Sequence, residues 1–437
     1  MKTTDNETCA IYICSRLTRF IHTMRSRRNF WIRLSLINLC IVAFLGFCMR
    51  SKIVFPLPFL DYRYFLSAHS HFAFSGWVGL ALISLLTFEL LPQQYSQKKT
   101  YQILLWGMEI SSLGMAFSFP FRGYTIVSVS FSSLYIFVFL FFAYVFIKDV
   151  LRSQLDRNVK LLGISAIVSS LVSFIGPLGL VYILISRAGS SNLYRDSIYV
   201  FLHFQYNGFF TLSVFALLIN QILQAGNTSM SSIQNFSRYL CLSVPPTLFL
   251  ALLWHNNTWF YTFAILGCVL IVITLIYFFQ VMKHARLKEL YPGKLSRTLL
   301  YFALISFGIK MLLQIGTVIP QLGNAVYGDR PVIIGFLHLV FLGFVTFYIL
   351  SSMMNGSFYE RNQQFSKWPF LVFSGGIILN ELLLMLQGLG ILFRTNSTIY
   401  SWLLWIAAIT LFIGALMIAI TTRSRANEKV AEIKRAA

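Results

Sequence analysis

The sequence predicts an all-α, polytopic membrane protein of twelve transmembrane helices, and three observations predict it. Of 437 residues, 57% are hydrophobic and only 11% charged, with a mean hydropathy of +0.71. A water-soluble chain of this length needs far more polar surface. The apolar residues also gather into runs of about twenty, the length a helix needs to cross the hydrocarbon core. Finally, the basic residues fall mostly into alternate connections between those runs, as the positive-inside rule requires.

The runs cover 31–49, 65–91, 101–119, 124–147, 160–185, 198–223, 239–255, 258–282, 299–319, 331–353, 368–391 and 398–421. The seventh carries Pro245-Pro246, which membrane helices tolerate with a kink, and Asn256-Asn257 separates it from the eighth. Three segments follow: a basic N-terminal stretch (1–30), a twelve-helix domain (31–421) and a basic tail (422–437). Residues 1–30 lack a continuous apolar core, so no cleaved signal is expected. Every loop is short, so no soluble domain is expected either.

The formal charge of +21 is carried by loops, which makes acidic lipid headgroups its partner and not nucleic acid. Arg16, Arg19, Arg25, Arg27, Arg28, Lys98 and Lys99, with the clusters at 148–160 and 283–297, share one side if the N-terminus is cytoplasmic. Both termini are then cytoplasmic, and a bacterial inner membrane is the expected location. Cys9, Cys14, Cys40, Cys48, Cys241 and Cys268 contain no C-x-x-C spacing, and neither a disulfide framework nor a zinc site is read from them.

Histidine carries the functional signal. His69 and His71 open the second run, His203 the sixth and His338 the tenth, while His255 ends the seventh. At ~1.5 Å per residue, the first four share a depth in the outer part of the membrane. Neutral imidazole is the commonest biological metal ligand, and histidines on facing helices can hold a haem iron between them. Residues two apart on a helix point about 200° from each other, so His69 and His71 cannot serve the same iron. The plainer reading is that membrane histidines bond to neighbouring helices, and that histidine is tolerated near interfaces.

The twelve runs and the histidines on runs 2, 6, 7 and 10 resemble subunit I of the haem–copper oxidase superfamily, which includes the nitric oxide reductases. The resemblance spans nearly the whole chain in topology, on few motifs. Ala68-His69-Ser70-His71-Phe72 looks like the helix 2 ligand region of that family, and Leu337-His338-Leu339-Val340-Phe341-Leu342-Gly343 like the end of its helix 10 motif. It implies a non-covalent, b-type haem held by His69 (or His71) and His338, with Arg394 against the haem propionates and Arg63 and Arg330 as weaker candidates. His71, His203 and His255 are the residues left for a second metal. Two departures put a haem plus copper reaction centre in doubt: Phe336 stands where the resemblance would place the second haem's ligand, and the single His255 stands where the family has a helix 7 histidine pair.

Glu109, Lys310 and Glu381 lie within runs 3, 9 and 11. Charges there need partners, and Glu109 with Lys310 is expected as a structural ion pair, with a proton path as the alternative. Three functions stay open. The first is haem-based electron transfer, or reduction or sensing of O2 or NO, with a redox partner protein. The second is a twelve-helix transporter, although no repeat is evident between the halves. The third is a haem or metal sensor or assembly factor without turnover.

Overall fold

The structure, a computed structural model, describes residues 4–186, 191–226, 230–320, 322–323, 329–355, 367–393, 395 and 397–436, with side chains described from residue 27 to 421 apart from 184 and 392. It is all-α, and no strand occurs among the described residues. Among the described residues, eleven helices are long and apolar enough to cross a membrane, so the chain is an integral, polytopic membrane protein whose outer surface is solvated by lipid.

In chain order these are α1 (Arg27–Val54), α2 (Tyr62–Leu90), α3 (Lys99–Arg122), α4 (Ile126–Arg152), α5 (Arg157–Ile183) and α6 (Ser191–Gln224). A further helix, α7 (Met230–Thr247), follows. Then come α8 (Thr258–His284), α9 (Lys294–Gly316), α10 (Arg330–Asn355), α11 (Trp368–Ile391) and α12 (Ile399–Thr421). The helix containing α1 starts at Thr4, well before the apolar run, because polar residues between two ends of a helix need not interrupt it.

The seventh helix departs furthest from its apolar run. It begins nine residues early, in the polar stretch Met230-Ser231-Ser232, and unwinds after Pro245-Pro246 into two short 3-10 turns ending at His255. Proline supplies no N–H to the preceding turn, so the α ladder stops soon after the pair.

Caps fix several ends. The Asp61 carboxylate accepts from the N–H groups of Arg63 and Tyr64 at 2.8 and 3.1 Å, opening α2. Asp156 opens α5 and Asn257 opens α8 in the same way. Between α3 and α4, Gly123 takes φ +62°, a conformation that strains any side chain.

Burial sorts the helices into two layers. The most apolar windows of α2 and α6 are each 83% buried, against 22% for α4. Helices α2, α6 and α10 meet in the middle, where Phe74, Phe210 and Phe341 touch one another at centroid distances of 4.5–5.6 Å. The indole N–H of Trp77 on α2 donates to Thr346 on α10 at 3.2 Å. The other helices surround this core, and α12 closes against α1 through Trp405 Nε1 donating to Ser51 Oγ at 3.0 Å. At the end of the bundle away from His69, Arg28 pairs with Glu89 and Lys98 with the buried Asp149.

Candidate functional site

The three central helices share a local feature. Each changes from α to π winding at a histidine or one residue after it. Tyr62–Phe72 is followed by a π segment at Ala73–Gly79, Ser191–His203 by one at Phe204–Phe210, and Arg330–His338 by one at Leu339–Thr346. Such segments are rare and concentrate at functional sites. The sequence carries the match: His71, His203 and His338 are each followed five residues later by glycine, at Gly76, Gly208 and Gly343.

The glycines are where a preceding helix comes close. A Cβ on Gly208 would sit 2.3 Å from the Ser169 Cβ of α5, and one on Gly343 would sit 2.9 Å from the Ser306 Oγ of α9. The Gly76 carbonyl accepts from Asn38 of α1 at 2.8 Å. Helix pairs α5–α6 and α9–α10 share this contact, whereas a Cβ on Gly76 would meet Phe72 of its own helix at 2.3 Å.

The histidines differ in what their nitrogens meet. His69 Nδ1 bonds the Val42 carbonyl of α1 at 3.1 Å, and His338 Nδ1 bonds the Ile334 carbonyl one turn back at 2.8 Å. A carbonyl can only accept, so each Nδ1 carries the proton and each Nε2 keeps its lone pair free. The two rings lie within electrostatic reach of one another, and Arg50 of α1 reaches both. Gly46 makes the room for His69: a Cβ there would come within 3.1 Å of the ring. Neither Arg50 nor Gly46 was singled out from sequence, since nothing in the pattern of α1 marks them.

The three histidines read as second-metal ligands are not brought together. His71 turns away from His69, as its two-residue offset requires. It stacks on Phe119 at 4.8 Å, and its Nε2 meets the Tyr124 hydroxyl at 2.9 Å. Burial pushes the Tyr124 phenol above its ordinary pKa, so it stays protonated and donates to the imidazole. His203 is fully engaged: Nε2 donates to the Val244 carbonyl at 2.8 Å and Nδ1 accepts from Asn207 Nδ2 at 3.1 Å. His255 bonds both Asp196 oxygens at 3.0 Å and lies on Trp254. Among the described residues, no group of three or more His, Cys, Asp or Glu side chains is placed to hold a metal ion.

Other expected features also resolve. Phe336, two residues before His338, packs edge-on against Tyr206 of α6 at 5.5 Å. Arg394 lies outside the described residues. Arg330 faces the Tyr62 ring at 6.0 Å, and Arg63 caps into Asp61 through its backbone. The expected Glu109–Lys310 pair does not form. Glu109 bonds Asn38 of α1 at 2.8 Å, whereas Lys310 donates to Thr211 of α6 at 3.2 Å. Lys310 also borders a cavity of about 10 Å³ with Asn207, Ser243, Thr247 and Gln314, room for one water among polar groups. Each of the two residues is instead hydrogen-bonded to a neutral side chain on another helix.

No protein-family model matches the chain, and no curated protein is similar to it.

Proposed function

We propose that the chain is a haem-binding membrane redox protein resembling subunit I of the haem–copper oxidases, with one non-covalent b-type haem held between His69 of α2 and His338 of α10. The observation that carries this reading is the matched state of the two imidazoles. Each has its Nδ1 proton on a main-chain carbonyl and its Nε2 unbonded, the state a ligating histidine needs. The donor set therefore fits a haem iron.

The chain's own contributions follow from that arrangement. Val42 and Ile334 fix the tautomer, and Gly46 leaves space for one ring. Arg50 brings positive charge suited to the carboxylates of a haem edge. Bound there, the haem would supply one-electron chemistry. In this reading all twelve helices cross a bacterial inner membrane with both ends in the cytoplasm, in keeping with the basic even-numbered connections.

Electron transfer or gas sensing is favoured over O2 or NO reduction at a second metal. His203 has no nitrogen to spare, and Phe336 and Tyr206 fill the space beside it. The test is a reduced-minus-oxidised optical spectrum of protein purified from haem-replete cells. The reading requires a b-type spectrum that disappears in His338→Ala and His69→Ala and persists in His71→Ala. A colourless wild-type protein would sink it. Turnover of O2 or NO with an artificial donor would restore the oxidase reading.

A further inference from the structure

Glu109 sits in the middle of α3 with 1% of its surface exposed, against Asn38 of α1, which has none. Both Asn38 Nδ2 hydrogens are committed. One goes to the Gly76 carbonyl of α2 at 2.8 Å, the other to Glu109 Oε2 at 2.8 Å. Because both partners are acceptors, the amide orientation is fixed by its surroundings. Two buried atoms then remain without a partner, Asn38 Oδ1 and Glu109 Oε1. Both are oxygens, and with Glu109 ionised both can only accept.

We infer that Glu109 is a proton-binding site within the membrane, carrying its proton at neutral pH on Oε1 and donating it to Asn38 Oδ1. The acid and the amide then face each other in a closed pair: Nδ2–H to Oε2 in one direction and Oε1–H to Oδ1 in the other. One proton satisfies both orphaned oxygens at once.

The alternatives fit less well. An ionised carboxylate buried without a cation is expelled from such a site or neutralised, and Glu109 is absent from the ion pairs among the described residues. The helices packed on it bring titratable groups of their own: Arg33 and Cys40 on α1, His69 and His71 on α2, and Tyr135 on α4. The side-chain hydrogen bond shown for Glu109 among the described residues is the one from Asn38. Lys310, the intramembrane amine, is bonded to Thr211.

The placement gives the proton a mechanical consequence. Asn38 bridges Glu109 to the π segment of α2, five residues beyond His71. Loss of the proton to water sets Oε1 against Oδ1 with nothing between them. The repulsion falls on the amide that also holds the Gly76 carbonyl, so the charge state of α3 is transmitted to α2. This linkage stands whether or not His69 holds a haem.

The test is infrared spectroscopy of the full-length protein in phosphatidylcholine vesicles at neutral pH. The expected result is a protonated-carboxyl C=O band that shifts in D2O and is lost in Glu109→Gln, a variant that replaces the acid with an amide of the same shape. In Asn38→Ala the band moves to higher frequency as its hydrogen bonds are lost. If Glu109→Gln does not fold, the Asn38→Ala shift decides alone. The inference is overturned if wild type and Glu109→Gln have the same spectrum in that region. It is equally overturned if Asn38→Ala leaves the band in place, or if sodium ions abolish it, which would mark a cation site instead.

Discussion

The histidines of α10 and α6 occupy the same place in the same local design and do opposite things. His338 and His203 both end an α segment, both precede a π segment, and both stand five residues before a glycine pressed against the preceding helix. Yet His338 bonds only its own helix and leaves Nε2 free, while His203 spends both nitrogens on Val244 and Asn207. Sequence spacing sets the backbone, and the neighbouring helix decides the chemistry. The α7 segment brings a carbonyl to His203 as it approaches its proline pair. No such carbonyl from another helix reaches His338.

That contrast can be broken experimentally. The largest effect is expected on haem: His338→Ala should abolish the visible spectrum of purified protein and His203→Ala should leave it intact. Loss of the spectrum in both variants would make the two positions equivalent after all. Next come the glycines. Gly208→Ala forces a Cβ into the Ser169 side chain and should destabilise by the upper part of the ~1–3 kcal/mol range for overpacking. Adding Ser169→Gly should recover part of it, measured by thermal unfolding in detergent. Gly343→Ala should cost less, because the nearest atom, Ser306 Oγ, can rotate away.

Smaller again is the cost of His203→Ala to stability. It leaves a buried amide and carbonyl unpaired, worth about 2 kcal/mol. The smallest effect concerns His255 and Asp196, each about a quarter exposed. A double-mutant cycle there should give a coupling under about 1 kcal/mol. A larger value would promote that outer pair from a tether to part of a working site.

Much of the fold was legible because hydropathy reports directly on lipid contact. The tenth and eleventh runs, 331–353 and 368–391, match Arg330–Asn355 and Trp368–Ile391 closely. The polar start of α7 was not legible, since a helix outside the hydrocarbon needs no apolar run. Of the candidate site, His69 (or His71) and His338 were singled out through the family resemblance, and helix geometry added that His69 and His71 point apart. The saturation of His203 was invisible, because it depends on a carbonyl 41 residues away. The His-to-Gly spacing was in plain view three times over.

The contact between α12 and α1 bears on how the protein is made. Trp405 reaches Ser51, and Phe412 stacks on Phe47 at 5.9 Å, so one of the last helices to leave the ribosome covers one of the first. Until then Phe44 and Phe47 face lipid, and the emerging bundle is an open arc. Its closure is therefore a late event of biogenesis, later than the arrival of α10 and His338. A chain halted before residue 399 would carry both imidazoles of the proposed haem site in a bundle whose seam is still open.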